Sequence, residues 1–241
     1  MTTRARIHVI ALALGLAATA AAPIRARVTE DVISRMRGMY GELRSYSDTG
    51  RVINEYGVAG TDEFTFSTCF NRTPRQFVLD FHKTADQYVI WGDPDAFHTW
   101  WKTTGEVYDY PNPNNAAALT GSARNSMSTA QKIPTLLYAK AALGGDFATL
   151  SSAAIDGVED VGGHRSHRLR QQVSDTYAAT GRQTNVRQIT VWIDAESLLI
   201  RKVLEEWTPL PGQRSRITTV YEPLANPAID AAKCRFAPKG K

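Results

Sequence analysis

The feature that most constrains this sequence is an alternation of apolar and polar residues that extends from Gly50 to Tyr221. The run Phe64–Phe70 places three phenylalanines on one side of a strand, and Phe77–Phe81 places two phenylalanines and a leucine on one side of the next. Turn residues at 71–74 separate the two runs. Because neighbouring residues of a strand point to opposite faces, the alternation predicts antiparallel strands that share one apolar, aromatic-rich face.

The same alternation predicts about ten strands joined by short turns, and therefore a mainly β fold of the α+β class. Beyond the first hairpin, we expect strands at Tyr88–Trp91, around Trp100 and Trp101, and at Leu150–Ile155, Val158–Val161, Arg165–Val173, Ile189–Asp194, Leu198–Trp207 and Ile217–Tyr221. An antiparallel sheet with so apolar a face needs a cover on that side.

Three helices are predicted to supply this cover. The first precedes the strands, because apolar residues within Val28–Leu43 recur at spacings of three and four and Thr29 is placed to cap the helix. Two short helices interrupt the strands in the middle of the chain. One is alanine-rich and lies at 115–121, and the other runs through Pro134–Gly144.

The N-terminus predicts export from the cytoplasm. Arg4 and Arg6 precede the apolar run Ile7–Ala22, and small residues follow it, which is the order of a secretory signal peptide. The run is shorter than the roughly 20 residues of a permanent membrane helix. We expect cleavage after Ala26, so that residues 1–26 form the signal peptide and 27–241 form a single β domain. The alternative is that the apolar run is a helix packed on that domain.

The two cysteines bear on the compartment and on the fold. Neither directly follows the apolar run, so no lipid anchor is expected on the mature N-terminus, and the mature protein is expected to be free in the periplasm. In an oxidising compartment, Cys69 and Cys234 either form a disulfide or remain two separate thiols, and the sequence leaves both possibilities open.

The charge of the chain argues against a nucleic-acid partner. Arg4, Arg6 and Arg25 contribute three units to the formal net charge of +4, so the mature chain is close to neutral. A nucleic-acid site needs clustered basic residues interleaved with stacking aromatics. The basic segment His164–Arg170 contains no aromatic residue other than histidine. We therefore predict that the protein does not bind nucleic acid.

The sequence shows no recognised catalytic arrangement. The nearest approach to a nucleophile elbow, at 121–122, lacks the second glycine. His164 and His167 are three positions apart on a strand, and Glu205 and Glu206 are adjacent, so each pair points to opposite faces. We therefore predict that the protein is not an enzyme and that it holds no metal or cofactor.

The predicted apolar face is compatible with two structures. If the helices pack tightly on the sheet, the result is an ordinary core. If they stand off, a curved sheet and a helical lid enclose a cavity that is able to hold an acyl chain. The pattern alone favours the tight core, because aromatic stripes usually belong to a core.

Several short motifs follow one another in an order that is found in a known family. After the amphipathic helix and the Phe-x-Phe strand come Arg72–Phe77 (Arg-Thr-Pro-Arg-Gln-Phe), Tyr88–Trp91, Ile133–Leu137, Gly157–Gly163, Val191–Lys202 and two C-terminal segments, Asn226–Asp230 and Arg235–Pro238. In this order the chain resembles the LolA/LolB-like superfamily of periplasmic proteins, which includes the outer-membrane lipoprotein carrier. One departure is that Trp91 precedes Gly92-Asp93, where the family has a glycine-tryptophan pair after the third strand.

The resemblance implies an unclosed antiparallel β-barrel, or a strongly curved sheet, covered by an N-terminal helix and two short mid-chain helices over a hydrophobic cavity. It also implies a non-catalytic carrier, expected to be a monomer, that shelters a lipid or the acyl chains of a lipidated protein. The alternative is an envelope regulatory or assembly protein that uses the same scaffold to bind another protein, with Trp100 and Trp101 as its contact.

The resemblance also assigns residues to the cavity and its lid. The predicted cavity lining consists of Phe64, Phe66, Phe70, Phe77, Leu79, Phe81, Trp91, Val191, Ile193, Leu199, Val203, Ile217 and Tyr221. The predicted lid residues are Met36, Tyr40, Leu136 and Leu137. Arg72 or Arg75 is expected to hold the lid closed through a hydrogen bond.

Overall fold

The structure is a computed structural model that describes residues 28–111, 130, 132–138, 150, 153–177, 182–210 and 212–238. The predicted signal peptide at 1–26, the predicted alanine-rich helix at 115–121 and the later part of the helix predicted at Pro134–Gly144 lie outside these residues. No helix in the described part of the chain combines the length and apolarity that crossing a bilayer requires.

Strands dominate the described residues. They are β1 (Ser45–Glu55), β2 (Thr61–Arg72), β3 (Arg75–Lys83), β4 (Asp86–Gly92), β5 (Ala96–Trp101), β6 (Val107–Pro111), β7 (Ala154–Val161), β8 (His164–Tyr177), β9 (Arg182–Asp194), β10 (Ile200–Leu210), β11 (Gln213–Tyr221) and β12 (Leu224–Ala225). Helix α1 occupies 28–42, helix α2 is Lys132–Leu137, and short 3-10 helices lie at Gly57–Ala59 and Ala231–Cys234.

The strands form one unclosed antiparallel sheet, which confirms the predicted fold class. Within the described residues the order is β6-β5-β4-β3-β2-β1-β11-β10-β9-β8-β7, and β12 pairs with the start of β1. Most neighbours in the sheet are also neighbours in sequence, as expected for hairpins. The exception is β1, which joins β2 on one side and β11 on the other and so unites the two halves.

The sequence underestimated several strands, including β1, β6, β9 and β12. Strand β1 begins at Ser45, five residues before the alternation becomes visible, because its buried positions include the polar residues Asp48 and Asn54. Strand β6 was not predicted, since its five residues are too few to show a period and Val107 and Tyr108 are exposed. Strands β1 and β6 are held by pairing with neighbours rather than by an apolar pattern of their own.

Helix α1 lies on the apolar face of the sheet, which we call the covered face. Its buried positions, Val32, Ile33, Met36 and Tyr40, recur at the predicted spacing of three and four. The sequence predicted that Thr29 caps this helix. Thr29 is not the cap, because residue 28 is already helical in the described part of the chain. Instead the Thr29 hydroxyl accepts a hydrogen bond of 3.2 Å from the backbone N–H of Ile155, which fastens α1 to β7.

The opposite face, which we call the outer face, is crossed by the C-terminal segment. A disulfide joins Cys69 of β2 to Cys234, with the Cα atoms 5.1 Å apart, and so decides between the two alternatives for the cysteines. The ring of Phe236 packs against Trp91 and Trp100, with centroid distances of 5.1 and 5.4 Å. The end of the chain thus covers the outer side of β2 to β5.

Gly50 allows the ring of Phe66 and the backbone of β11 to approach β1 closely at the centre of the sheet. A Cβ atom at this position would lie 2.5 Å from Cζ of Phe66 and closer still to the carbonyl oxygen of Val220. The carbonyl oxygen of Val220 belongs to the backbone of the adjacent strand β11, so the steric clash could be relieved only by moving that strand. Glycine is required here because two strands and a buried phenylalanine meet at one point.

We predict that Gly50→Ala destabilises the fold by about 1–3 kcal/mol, the usual cost of overpacking a core. Gly38→Ala in α1 is the matched control: nothing lies within 4 Å of its added Cβ, so the free energy of unfolding should stay the same or rise by about 0.5–1 kcal/mol. Urea denaturation of both variants measures the difference. Equal stability of the two variants would show that the close approach at Gly50 is unimportant.

Candidate functional site

The predicted lining residues, with one exception, lie together in a single buried apolar cluster on the covered face. The cluster contains Phe64, Phe66, Phe70, Phe77, Leu79, Phe81, Val191, Ile193, Leu199, Val203, Ile217 and Tyr221. The strand registers explain this grouping, because residues paired across neighbouring strands share a face. Their location is therefore established, and their contact with a ligand stays a prediction.

Trp91 is the exception, and its assignment to the covered face needs correction. In the register of β3 with β4, Leu79 pairs with Ile90 and Val78 with Trp91, so Trp91 points to the outer face. There its ring stacks on His98 with a centroid distance of 4.9 Å and also contacts Phe236. Consecutive apolar residues in β4 concealed this alternation in the sequence.

The predicted lid residues all pack onto the covered face. Met36, Tyr40 and Leu137 are fully buried, and Leu136 is nearly so. The Tyr40 hydroxyl accepts a hydrogen bond of 3.0 Å from the backbone N–H of Ile200, which ties the end of α1 to β10. The two helices therefore contact the sheet through apolar side chains and a small number of polar bonds.

Arg72 connects both helices to the end of β2. Its Nε donates to the carbonyl oxygen of Leu43 at 2.7 Å, and Nη2 donates to the carbonyls of Tyr40 at 3.2 Å and Leu137 at 3.4 Å. The last carbonyls of a helix have no partner within the helix and favour a cation, so one guanidinium serves the ends of α1 and α2 together. Its carbon also lies 5.1 Å from the ring centre of Phe70.

Arg75, the other arginine of this hairpin, makes different contacts. Its Nη2 donates to the carbonyl oxygen of Pro94 at 3.1 Å, and its guanidinium lies 5.9 Å from the ring centre of Tyr138, the residue that follows α2. The Tyr138 ring in turn meets Phe70 and Phe77 edge-on, at 5.6 and 5.9 Å. Arg75 therefore supports the aromatic end of the core, whereas Arg72 joins the helices.

A buried carboxyl group, Asp48, lies on the covered face beneath the end of α1. Tyr46 donates a hydrogen bond of 2.6 Å to Asp48 Oδ2. Burial raises the pKa of Asp48 to about 6, although the hydrogen bond from Tyr46 partly opposes the increase. Nothing in the sequence marks this residue as buried, because an aspartate between polar neighbours in a strand has the pattern of a surface residue.

A second carboxyl group, Glu205, is buried further along the same face. Lys132 of α2 donates a hydrogen bond to Glu205 Oε1, and Nε of Arg187 lies 3.6 Å from Oε2. The adjacent Glu206 points to the outer face and pairs with Arg214, as the alternation of a strand requires. Glu205 and Glu206 therefore cannot share a proton, in agreement with the sequence prediction.

His164 and His167, which the sequence offered as possible metal ligands, both lie on β8. His164 and His167 lie on opposite faces of β8, and Nδ1 of His164 is 3.0 Å from Asp194 Oδ2. Within the described ranges, no group of three or more His, Cys, Asp or Glu residues is arranged to hold a metal ion.

The described residues outline an open hollow of about 600 Å³ on the outer face, beside Gly50. Polar residues of its lining include Thr49, Arg51, Thr65 and Glu222, and Phe66 and Val220 line it as well. On the covered face, the buried residues of α1 and α2 belong to the same apolar cluster as the residues that the sequence assigned to a cavity.

The fold is similar to that of several solved structures. An uncharacterized conserved protein from Thermus thermophilus has a TM-score of 0.50 at 8% identity, over 88% of this chain and 95% of that chain. Lipoprotein LppX from Mycobacterium tuberculosis has a TM-score of 0.47 at 11% identity, over 83% and 98%. LolA superfamily protein NE2245 from Nitrosomonas europaea has a TM-score of 0.37 at 6% identity, over 86% and 97%.

Identities this low concern the fold alone. No protein-family model matches the chain, and no curated protein matches it. At the level of the fold, an open antiparallel sheet carries its helices on one apolar face, which is the architecture that the order of the motifs predicted.

We predict that Arg72→Ala loosens both helices at once. The variant loses three hydrogen bonds to helix-end carbonyls, and a bond from a charged donor contributes roughly 1.5–3 kcal/mol. Because the loss of even one such bond corresponds to about tenfold, amides of α1 and α2 should exchange with solvent at least about tenfold faster. Hydrogen exchange with mass spectrometry measures this rate. Arg75→Ala is the control and should leave α1 exchange unchanged; equal acceleration in both variants contradicts the role of Arg72.

We predict that Asp48 makes the fold less stable above pH 6 than below it. Its pKa is about 6 in the folded state against 3.8 in the unfolded state, so the folded state binds the proton more tightly. Stability should therefore rise by up to about 3 kcal/mol as the pH falls from 8 towards 4. Asp86, Asp93 and Asp194 have lowered pKa values and so titrate below this range.

Urea denaturation at pH 8 and pH 5 measures the effect of Asp48. The variant Asp48→Asn keeps the size of the side chain and removes its charge, so it should be more stable than the wild type at pH 8 and should show little change between the two pH values. An unchanged pH dependence in Asp48→Asn would locate the effect elsewhere in the protein.

Proposed function

We propose that the protein is a periplasmic binding or carrier protein that shelters a lipid, or the acyl chains of a lipidated protein, between the covered face of the sheet and helices α1 and α2. The observation that carries this proposal is the connection of the helices to the sheet. Apolar contacts fill the interface, and the polar bonds that hold α1 and α2 lie at a few points, chiefly Arg72, Tyr40 and Lys132.

This arrangement supports opening and closing of the helical cover. An acyl chain that inserts between the helices and the sheet is covered on both sides and buries apolar surface at about 25 cal/mol per Å², or about 0.8 kcal/mol for each methylene group. A chain of a dozen or more methylenes therefore offsets the loss of the few bonds made by Arg72. Because the cargo is held by burial and no bond is broken, the proposed function needs no catalytic residue.

The proposed location follows from the sequence. The order of basic, apolar and small residues in the signal peptide expected at 1–26 is that of an exported protein. The disulfide between Cys69 and Cys234 fits an oxidising compartment.

The test is whether the covered face takes up hydrocarbon. Native mass spectrometry and lipid extraction of the protein purified from the periplasm should show bound lipid, and the neutral probe N-phenyl-1-naphthylamine should fluoresce on binding to the lipid-free protein. Leu136→Trp places a larger side chain at the buried contact between α2 and the sheet and should lower probe binding several-fold. Thr135→Trp on the neighbouring position is the matched control and should leave it unchanged.

An interior that takes up neither lipid nor probe under any condition would exclude the carrier function. A stable protein partner that co-purifies without lipid would favour the alternative, an envelope protein that binds another protein. The exposed side chains of Trp101, Val107 and Tyr108 at the β5–β6 hairpin support that alternative. Trp100, which the sequence assigned to the same contact, points to the outer face and is packed against Phe236.

A further inference from the structure

A row of buried polar side chains crosses the covered face at the end opposite to Arg72. In the strand registers, Asn54 pairs with Ile217, Ile217 with Glu205, Glu205 with Ile189, and Ile189 with Gln171. The row therefore alternates polar and isoleucine side chains across five neighbouring strands, β1, β11, β10, β9 and β8. We call Asn54, Glu205 and Gln171 the polar row.

Two members of the polar row are buried with side-chain atoms that lack hydrogen-bond partners among the residues that the structure describes. Neither Oδ1 nor Nδ2 of Asn54 has a partner, and this residue is 0% exposed. Oε1 of Gln171 also has none, and this residue is 6% exposed. Buried polar atoms in folded proteins almost always have a partner, because an unpaired one loses its bonds to water without compensation. Two such amides in one row form a candidate site for a polar ligand.

The contacts of Glu205, the third member, help to define the kind of ligand that the unpaired atoms can bind. Glu205 is already bonded to Lys132 and lies beside Arg187, so the charges in this region are engaged with one another. The unpaired atoms are neutral amide atoms, two acceptors and one donor. Their complement is a neutral group that donates hydrogen bonds, such as a hydroxyl or an amide N–H, and a charged phosphate is a poorer match.

The row next to the polar row is apolar except for Thr219. It contains Val52, Val203, Val191 and Leu169, aligned by the same strand registers. From Asn54 to the start of β1, near Arg72, the strand spans about 30 Å, the thickness of a bilayer's hydrocarbon core. A polar head placed on the polar row would therefore have an extended apolar track leading from it.

We infer that the polar row binds the head of the cargo, and that this head is neutral and carries hydroxyl or amide hydrogen-bond donors. The acyl chain then lies along the valine and aromatic side chains towards Arg72. This inference rests on the proposed carrier function, and it adds the chemical class of the cargo head and the residues that select it.

The test compares lipids with matched chains and different heads. Binding of dioleoylglycerol, which has one free hydroxyl, triolein, which has none, and dioleoyl phosphatidic acid, which is anionic, is measured on the full mature protein by displacement of N-phenyl-1-naphthylamine. We expect Asn54→Leu and Gln171→Leu to bind dioleoylglycerol at least tenfold more weakly than the wild type does, and triolein within twofold. Gln172→Leu, on the exposed neighbouring position, is the matched control and should bind all three lipids as the wild type does.

A stability measurement separates recognition from folding. Because Asn54→Leu and Asn54→Ala remove an unpaired buried amide, the ligand-free variants should melt at or above the temperature of the wild type, while both bind dioleoylglycerol more weakly. A lower melting temperature with a parallel loss of triolein binding would mean that the polar row is structural and overturns the inference.

The remaining outcomes separate the polar-head site from the carrier function. Unchanged affinity for dioleoylglycerol in both Asn54→Leu and Gln171→Leu overturns the polar-head site and leaves the carrier function standing. A larger loss for phosphatidic acid than for dioleoylglycerol overturns the assignment of a neutral head. If the wild-type protein binds neither the probe nor any of the three lipids, the carrier function fails and the polar-head site fails with it.

Discussion

The whole architecture depends on the need to keep one face of a single sheet away from water. An antiparallel sheet of this width places an almost continuous aromatic and aliphatic surface on one side, and that surface has no second sheet to pack on within the described residues. The helices meet the need, and their attachment is uneven, since broad apolar contact is supplemented by polar bonds at a few residues such as Arg72 and Tyr40. Apolar contact is non-directional, so burial supplies most of the attachment of the helices and the polar bonds supply its direction.

The outer face has the opposite character. The C-terminal segment is attached there by the disulfide between Cys69 and Cys234 and by the contacts of Phe236 with two tryptophans. The central strands are thus supported from behind, and β1 joins the two halves of the sheet through its pairing with β2 and β11. The sheet is therefore reinforced on its outer side independently of the helices on the covered face.

Several polar residues are buried on the otherwise apolar covered face, and each has a different environment. Asp48 lies beneath the end of α1 with Tyr46 as donor, and burial raises its pKa. Glu205 has cationic neighbours from α2 and β9. The side-chain oxygens of Asn54 and Gln171 have no hydrogen-bond partner within the described residues. Because burial of such groups costs stability, a face that served only as a core would be expected to hold apolar residues at these positions.

The sequence by itself determined the period of the strands, the amphipathic first helix and the apolar set of the covered face, since all of these follow from spacing along the chain. The tertiary structure alone decided the face of Trp91, the start of β1, the pairing of Cys69 with Cys234 and the burial of Asp48, Asn54 and Gln171. These depend on the register between strands that are distant in sequence, such as β1 with β11. A register assigns a face to every side chain at once, and no local pattern of apolar residues records it where buried polar residues interrupt the alternation.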